Sequence, residues 1–172
     1  MVGASIYRPY YNTYNLICII INNKEESMYT IEEFDKEKTK IMKYIMYKKR
    51  TEYEVKNKFK NTIQNDILCD IIEYVKEAGY LNDENYIEKA VSEFTNIKNI
   101  SIKEIEYKLI SKGISKDQIE DYIYENKEEL KEYELKSAYN IIEKKQKTMD
   151  KEEIKMYLIK KGYNMEIIKM LM

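Results

Sequence analysis

Histidine is absent from this sequence of 172 residues, which removes the side chain most often used in general acid–base catalysis. Its absence also excludes every metal site that needs an imidazole ligand. The two cysteines, Cys18 and Cys69, are too few for a disulfide framework, so we predict that both are reduced thiols. No glycine-rich phosphate loop and no Gly-x-Ser-x-Gly motif occurs. We therefore expect no catalytic residue, no cofactor and no metal, and the sequence does not predict an enzyme.

Turn-forming residues are scarce as well, with four glycines and one proline. Such a composition favours long helices with short connections. The formal net charge of −1 argues neither for nor against a polyanionic partner. The charge nevertheless alternates along the chain, since Lys36–Lys60 and Lys136–Lys161 are basic whereas Asp66–Glu93 and Lys116–Glu134 are acidic. Charge runs of this kind are usually solvated helix faces.

Residues 1–30 have a different composition, and we predict that they form an N-terminal extension outside the main fold. The stretch Tyr7–Asn23 is rich in tyrosine and asparagine around the apolar run Leu16–Ile21. That run is far too short to span a bilayer, and no signal-peptide features frame it. Its β-branched residues are compatible with one strand, and a disordered extension with Met28 as an alternative start is the other reading.

One short pattern occurs three times, and each time a small polar residue is followed three places later by glutamate. This spacing is typical of the capping box that begins a helix. An apolar pair at positions i and i+4 follows each start and is expected to lie on the buried face of that helix. The capping pairs are Thr51/Glu54, Ser101/Glu104 and Asp150/Glu153, and the apolar pairs are Val55/Phe59, Ile105/Leu109 and Ile154/Leu158. The offsets of 50 and 49 residues indicate stacked supersecondary units.

Three helices are predicted in each unit. The first helices contain Ile41–Lys48, Tyr86–Phe94 and Leu135–Ile142. The second helices are the capped ones, and Gly113 and Gly162 are expected to end two of them in the left-handed conformation. The third helices are expected to begin at Ser115, with Gln118 as its capping-box partner, and at Asn164. The first unit lacks the glycine, so Asn61 or Asn65 is expected to form its turn and cap, before a third helix that stops at Gly79.

The sequence therefore predicts an all-α fold, a tandem array of three three-helix units preceded by a short non-helical or disordered extension. The predicted repeats are residues 31–79, 80–126 and 127–172. One such unit would be marginally stable by itself, and stacking would bury its remaining apolar surface. We expect the stacked units to form an elongated, curved rod.

Three segments resemble the RecX family of bacterial regulatory proteins: "KKRTEYEVKNKF", "EYVKEAGYLNDENYIEKAV" and "ISIKEIEYKLISKGIS". The residues that match are Lys49, Arg50, Thr51, Glu54, Val55, Lys58 and Phe59 in the first motif, Gly79, Tyr80, Leu81, Asp83 and Tyr86 in the second, and Lys108, Leu109, Lys112, Gly113 and Ile114 in the third. The resemblance covers about residues 35–172. The chain departs from the family pattern at Val55, where leucine is usual, at Asn82, which replaces aspartate, and in two missing glycines. None of these changes removes a core position.

The resemblance implies a cytoplasmic regulator of DNA recombination and repair that binds the RecA recombinase. Family members bind RecA and its filament on single-stranded DNA, and they generally inhibit strand exchange and ATP hydrolysis. Single-stranded DNA within the filament is a further candidate partner, whereas no membrane and no small-molecule substrate is expected. We expect a monomer whose repeated units make several weak contacts with a repeating partner, which would add up through effective concentration.

Two sets of basic residues are candidate partner-binding residues. Lys48, Lys49 and Arg50 form a basic cluster at the predicted end of the first helix, where they could instead complement the negative end of the helix dipole. Lys103, Lys108 and Lys112 recur along the second helix of the middle unit, where a solvated face is the alternative reading.

Asp83 and two tyrosines near it are predicted to be structural. Tyr80 and Tyr86 are expected to pack with their rings and to keep their hydroxyl groups in water. Asp83 is expected to be the N-cap of the next helix.

Two other classes of function remain open from the sequence. Capped second helices within three-helix units superficially resemble helix-turn-helix modules, but the net charge argues against direct binding of DNA. A helical scaffold for another protein partner is the second alternative. Direct phosphate binding would weaken steeply with rising salt, and this dependence would separate it from a contact with RecA.

Overall fold

The structure, a computed structural model, describes residues 29–172. This part of the chain contains nine α-helices and no strand, so the predicted all-α class is confirmed for it. The remainder of the predicted extension, including Met28 and the apolar run, lies outside the described residues. The helices are α1 Ile31–Tyr47, α2 Glu52–Phe59, α3 Asn65–Glu77, α4 Asp83–Ile97, α5 Ile102–Ile110, α6 Lys116–Glu125, α7 Lys127–Lys145, α8 Lys151–Lys160 and α9 Met165–Leu171.

The short second helices α2, α5 and α8 begin where the capping pattern predicts. The Glu54 N–H donates to Thr51 Oγ1 at 3.1 Å, and the Thr51 N–H donates to Glu54 Oε2 at 3.3 Å, which completes a capping box. Asp150 and Glu153 make the same reciprocal pair at 2.9 and 3.0 Å. Ser101 accepts from the Glu104 N–H at 3.1 Å. The three predicted helix starts are therefore confirmed.

The glycine caps are confirmed too, and the predicted Ser115 capping box is only half formed. Gly113 and Gly162 follow α5 and α8 with φ of 79° and 82°, a region that side-chain-bearing residues rarely occupy. Ser115 accepts from the Gln118 N–H at 3.3 Å. The Gln118 side chain, however, accepts from the Ser115 hydroxyl instead of reaching back to the Ser115 backbone.

The described chain divides into two compact units. Unit 1 contains residues 29–48 and 56–81, and unit 2 contains Lys49–Val55 together with Asn82–Met172. In unit 1, α1 packs against α3. Its buried apolar residues include Phe34, Ile41 and Ile45 from α1 and Ile67, Ile71, Ile72 and Val75 from α3. Phe59 packs edge-to-face on Tyr44, with ring centroids 5.6 Å apart.

Tyr29 and Thr30, the last two residues of the predicted extension, are part of unit 1. The Tyr29 ring is buried beside Phe34, with ring centroids 6.1 Å apart, and its hydroxyl donates to Asp70 Oδ2 in α3. Thr30 is the N-cap of α1 and forms a capping box with Glu33. The folded part of the chain therefore includes both residues.

The turn after α2 corrects one prediction. Asn65 is the first residue of α3 and not its cap, because the N-cap position is Gln64, which makes no side-chain capping bond. The turn itself is closed on the Phe59 carbonyl, which accepts from the N–H groups of Thr62 and Ile63 at 2.9 Å. The Thr62 hydroxyl also donates to this carbonyl, at 3.2 Å. Asn61, the other residue predicted for this turn, lies within it, and backbone bonds close the turn.

Unit 2 contains two apolar clusters. The first is formed by Ile87, Val91, Ile105, Leu109, Ile114, Ile119 and Leu130, and the second by Ala138, Ile154, Leu158, Tyr163, Ile167 and Ile168. All six residues of the predicted apolar pairs are buried. Burying a residue the size of leucine stabilises the fold by about 1.5–3 kcal/mol, so the pairs Ile105/Leu109 and Ile154/Leu158 hold α5 and α8 in the two clusters.

Candidate interaction surface

The basic cluster Lys48–Arg50 occupies the link between α1 and α2. Lys48 is the C-cap of α1 and is exposed, as is Lys49. Arg50 differs from both, since its side chain is largely covered and its Nη1 lies 3.8 Å from Glu54 Oε1. Two of the three predicted contact residues are therefore open to a partner, and the third is engaged with α2.

Glu54 brings together residues from the two candidate sets. Its Oε1, which lies 3.8 Å from Arg50 Nη1, also accepts from Lys112 Nζ at 2.8 Å. Burial alone would raise the pKa of the Glu54 carboxyl, but the bonds from Lys112 and from the Thr51 N–H, with the charges of Lys112 and Arg50, hold that pKa below its ordinary value. The hydrogen bond to Glu54 raises the pKa of Lys112. The carboxylate thus orients two cations at the start of α2.

The start of α2 makes a specific joint with the middle repeat, which we call the first joint. The Thr51 hydroxyl donates to the Lys112 carbonyl at 2.6 Å, and the Glu52 N–H donates to Asp83 Oδ1 at 3.0 Å. The Tyr53 side chain lies directly against Gly113, where a Cβ would overlap it. Asp83 is thus the acceptor in this joint and not the N-cap of α4. That cap is Asn82, which accepts from the Asn85 N–H at 2.8 Å.

A second joint with the same plan links the middle and third repeats. The Ser101 hydroxyl donates to the Lys161 carbonyl at 2.7 Å, and the Ile102 N–H donates to Glu134 Oε1 at 3.0 Å. The Lys103 side chain lies against Gly162, as Tyr53 lies against Gly113. The joint therefore recurs at an offset of about 50 residues, with a hydroxyl, a helical N–H, a carboxylate and a glycine in equivalent places.

The second candidate set does not form one helical row. Lys112 lies beyond the end of α5 and pairs with Glu54, so the predicted recurrence of three lysines along one helix is wrong. Lys108 pairs with Glu104 at 3.5 Å, one turn away on α5. Lys103 is exposed at its tip, and its stem packs on Gly162. Each lysine therefore has a different environment.

Glu134 is a buried carboxylate, and nothing in its local sequence distinguishes it from the many other glutamates. It lies in α7, and burial raises its pKa in spite of bonds from the Ile102 and Asn164 N–H groups. Its offset of 51 residues from Asp83 is the one signal that could have identified it. It acts in the second joint, and its burial leaves little of it for a partner.

The two tyrosines near Asp83 differ in exposure. Tyr86 packs against the first apolar cluster of unit 2, and burial raises the pKa of its hydroxyl. Tyr80 is about half exposed. Within residues 29–172, every helix is too short or too polar to cross a bilayer.

The chain is similar in sequence to several proteins named regulatory protein RecX. No protein-family model matches. A regulatory protein RecX from Staphylococcus carnosus is 31% identical over 97 residues, which are 55% of this chain and 36% of that protein. A RecX from Clostridium perfringens strain SM101 is 30% identical over 120 residues, 67% of this chain and 56% of that protein. The chain thus spans about a third to just over half of these relatives' length.

Solved structures agree with the sequence relatives. A crystal structure of RecX from Lactobacillus salivarius matches with a TM-score of 0.71 at 25% identity, and it covers 83% of this chain and 96% of that one. A second structure of a regulatory protein RecX matches with a TM-score of 0.72 at 16% identity, over 91% of this chain and 86% of that one. The second match supports the fold alone.

Proposed function

We propose, from the premise that this chain belongs to the RecX family, that it binds the RecA recombinase and its filament on single-stranded DNA and inhibits recombination and ATP hydrolysis by RecA. The observation that carries the proposal is the agreement of sequence and fold with proteins named regulatory protein RecX. The proposal makes the protein a cytoplasmic regulator without catalytic activity of its own.

The repeated joint supports a role in binding a repeating partner. Because both joints use the same contacts, α5 and α8 occupy equivalent places in successive repeats. A partner that repeats along a filament can then meet equivalent surfaces more than once, and weak contacts add through effective concentration. Lys48 and Lys49 remain our first proposed contact residues because both are exposed.

RecA-catalysed ATP hydrolysis on single-stranded DNA, measured with and without the protein, tests the proposal directly. We expect hydrolysis to fall as the protein is added in near-stoichiometric amounts. The protein should also bind preformed RecA filaments more tightly than naked single-stranded DNA. Unchanged hydrolysis together with no binding to filaments would reject the proposal and favour a scaffold for another protein.

The same assay repeated over a range of salt separates RecA binding from direct DNA binding. A protein that binds phosphates loses affinity steeply as salt rises, by about 10³–10⁵ between 50 and 200 mM for six to ten phosphate contacts. We expect a much shallower dependence for binding to the filament, because the formal net charge is −1.

A further inference from the structure

The two joints, both within unit 2, share one plan but differ in their charges. An ion pair crosses the first joint, where Lys112 Nζ lies 2.8 Å from Glu54 Oε1, a residue 58 positions away in the sequence. Arg50 Nη1 lies 3.8 Å from the same carboxylate oxygen. The Lys112 side chain is 44% exposed, whereas Glu54 and Arg50 are largely covered. Opposite charges therefore close the first joint in addition to its hydrogen bonds.

The equivalent residues of the second joint are arranged differently. The residues equivalent to Arg50, Glu54 and Lys112, at offsets of 50, 50 and 49, are Ile100, Glu104 and Lys161. Glu104 pairs at 3.5 Å with Lys108 of its own helix α5. Lys161 is exposed, and Ile100 packs against the first apolar cluster of unit 2. The ion pair of Glu104 thus lies within one helix and does not cross the second joint.

Neutral groups close the second joint where charged groups close the first. The Ser101 hydroxyl donates to the Lys161 carbonyl at 2.7 Å. The Tyr133 hydroxyl of α7 lies 2.9 Å from the Ile100 carbonyl oxygen and accepts from the Ile100 N–H at 3.2 Å. Salt screens an exposed ion pair, whereas bonds between neutral groups carry no net charge to screen. The two joints should therefore respond differently to ionic strength.

Acid should act on the two joints in opposite directions. In spite of burial, the bonds and charges around Glu54 hold its pKa below the ordinary value, so its stabilising charge is lost as pH falls through that lowered pKa. Burial raises the pKa of Glu134, so protonation of Glu134 favours the folded state as pH falls through that raised pKa. A protonated carboxyl keeps an oxygen that can accept from the Ile102 N–H, so the second joint retains this bond.

Other titratable and charged groups surround both carboxyls. Those around Glu54 are Arg50, Lys112 and Tyr86. Those around Glu134 are Lys103 and Glu106 of α5, Lys127, Lys131 and Tyr133 of α7, Glu166 of α9, and Tyr163. Cations dominate around Glu54, whereas charges of both signs are mixed around Glu134. Burial is therefore the main influence on Glu134.

We propose that the first joint is an ionic switch: high salt or acid releases the segment Lys49–Val55 from the middle repeat, while the second joint stays closed. In the released state Glu54 and Lys112 separate, and the N–H groups of Glu52 and Glu54 exchange with water. Release also changes the setting of Lys112, a candidate contact residue. The inference concerns the chain itself and does not depend on which partner the chain binds.

Amide hydrogen exchange of the full chain, followed by NMR, measures both joints in one sample. The reporters are three N–H groups at the first joint and the three at equivalent positions of the second. They belong to Glu52, Glu54 and Val55, and to Ile102, Glu104 and Ile105. Each protection factor is corrected for the intrinsic exchange rate at that pH. The quantity compared is the protection of the first joint divided by that of the second.

We expect this ratio to fall about threefold at pH 7 when salt rises from about 0.1 M to about 1 M. The reason is that the Debye length shortens from about 10 Å to about 3 Å, and the pair between Glu54 and Lys112 is partly exposed. At the lower salt concentration, a fall from pH 7 to pH 3 should lower the ratio at least about fivefold, because acid weakens the first joint and strengthens the second.

Glu54→Gln should lower the ratio at pH 7 and low salt, and it should remove most of the dependence on salt. Glu104→Gln is the matched control, because Glu104 occupies the equivalent position but pairs within α5. The control should keep the parent's dependence on salt. If Glu54→Gln fails to fold, Lys112→Met replaces it, since this variant removes the other charge of the pair and keeps the backbone carbonyl that accepts from Thr51.

Two results would overturn the inference. Equal loss of protection at the two joints, in salt or in acid, would show that neither joint opens selectively. A ratio that is as sensitive to salt in Glu54→Gln as in the parent would show that the ion pair does not close the first joint. RecA takes no part in these measurements, so either result would leave the proposed function intact.

Discussion

At the scale of single residues, the joints depend on backbone conformations and side-chain groups that few other residue types can provide. Gly113 must adopt a positive φ, and it must also leave room for the Tyr53 side chain. Thr51 and Ser101 are fully buried hydroxyl residues that both cap a helix and donate across a joint. Each of these residues has two structural roles. Replacing it should therefore lower the free energy of unfolding by more than the loss of either role alone.

Gly113→Ala should destabilise the protein more than Gly79→Ala. Both glycines have a positive φ, near 79° and 74°, so both substitutions cost about 1–2 kcal/mol in backbone strain. A Cβ at Gly79 meets no atom within 4 Å, whereas a Cβ at Gly113 overlaps Tyr53 and should add about 1–3 kcal/mol of overpacking. Urea unfolding gives both values. Tyr53→Ala in the Gly113→Ala background should recover most of the difference, and equal costs for the two alanines would contradict the close packing at the joint.

Glu54→Gln should lower the free energy of unfolding at neutral pH. It should also make that free energy less dependent on pH in the acid range. The pKa of the Glu54 carboxyl is lowered in the folded state, so its contribution is present above the ordinary carboxyl pKa and is lost as pH falls through the lowered value. Glutamine can still accept from the Thr51 N–H but loses the charge that pairs with Lys112 and Arg50. We expect a loss of about 1 kcal/mol at pH 7, because water screens the half-exposed Lys112.

Urea unfolding between pH 3 and pH 8 measures this effect, and Glu153→Gln is its control. Glu153 forms the equivalent capping box on α8 and is exposed. If the parent and Glu54→Gln lose stability in parallel as pH falls from 6 to 3, the charge on Glu54 does not stabilise the fold.

At the scale of helices, neighbouring residues in the sequence predict where each helix begins. The contacts that each helix makes depend on residues far away in the sequence. The starts at Thr51, Ser101 and Asp150 were predictable because a capping residue and its partner are three positions apart. The joints were not, since the Ser101 hydroxyl donates to a backbone carbonyl 60 residues away and any residue offers such a carbonyl. Asp83 was misassigned because its neighbour Asn82 caps equally well.

The candidate contact residues show the same limit. That Lys48 and Lys49 are exposed follows from their place after α1. That Arg50 turns toward Glu54, and that Lys112 meets it there, depends on how the start of α2 packs in unit 2. The spacing of these basic residues in the sequence does not indicate which residues they contact, so their partners could not be predicted from it.

Ser101→Ala should cost more stability than Ser115→Ala, although both remove a helix N-cap. Loss of the cap costs about 0.5–2 kcal/mol in each case. Ser115 is exposed, whereas the buried Ser101 also donates to the Lys161 carbonyl, which would be left without this donor at a further cost of about 1–3 kcal/mol. Chemical denaturation of the two variants gives the comparison. Equal losses would mean that the bond across the second joint adds nothing to stability.

At the scale of the whole molecule, the question is which charges reach a partner. Arg50 is engaged with Glu54, so replacing all of Lys48, Lys49 and Arg50 would mix a change in stability with a change in binding. Lys48 and Lys49 can be changed together without disturbing that pair. The exposed Lys144 and Lys147 offer a control with the same change in net charge.

Lys48→Ala/Lys49→Ala should weaken inhibition of RecA while it leaves the fold intact. Exposed charges near a helix end contribute about 0.3–1 kcal/mol each, so the thermal midpoint should move little. Charges at an interface raise the association rate, and we expect the half-inhibitory concentration to rise at least about fivefold. Both quantities are measured on one preparation beside Lys144→Ala/Lys147→Ala. If the two double variants inhibit equally well, Lys103 and Lys108 become the better candidates.

The chemistry of the joint bears on how a gene for such a protein can change in length. A segment of one repeat inserted in frame between the middle and third repeats would bring its own hydroxyl, carboxylate and glycine, and it could pair on both sides. The position equivalent to Thr51 and Ser101 in the third repeat is Asp150, which has a carboxyl group in place of an alcohol hydroxyl. A repeat unit that packed on α8 in the same way would therefore meet an acidic side chain where the two joints described here have a hydroxyl donor.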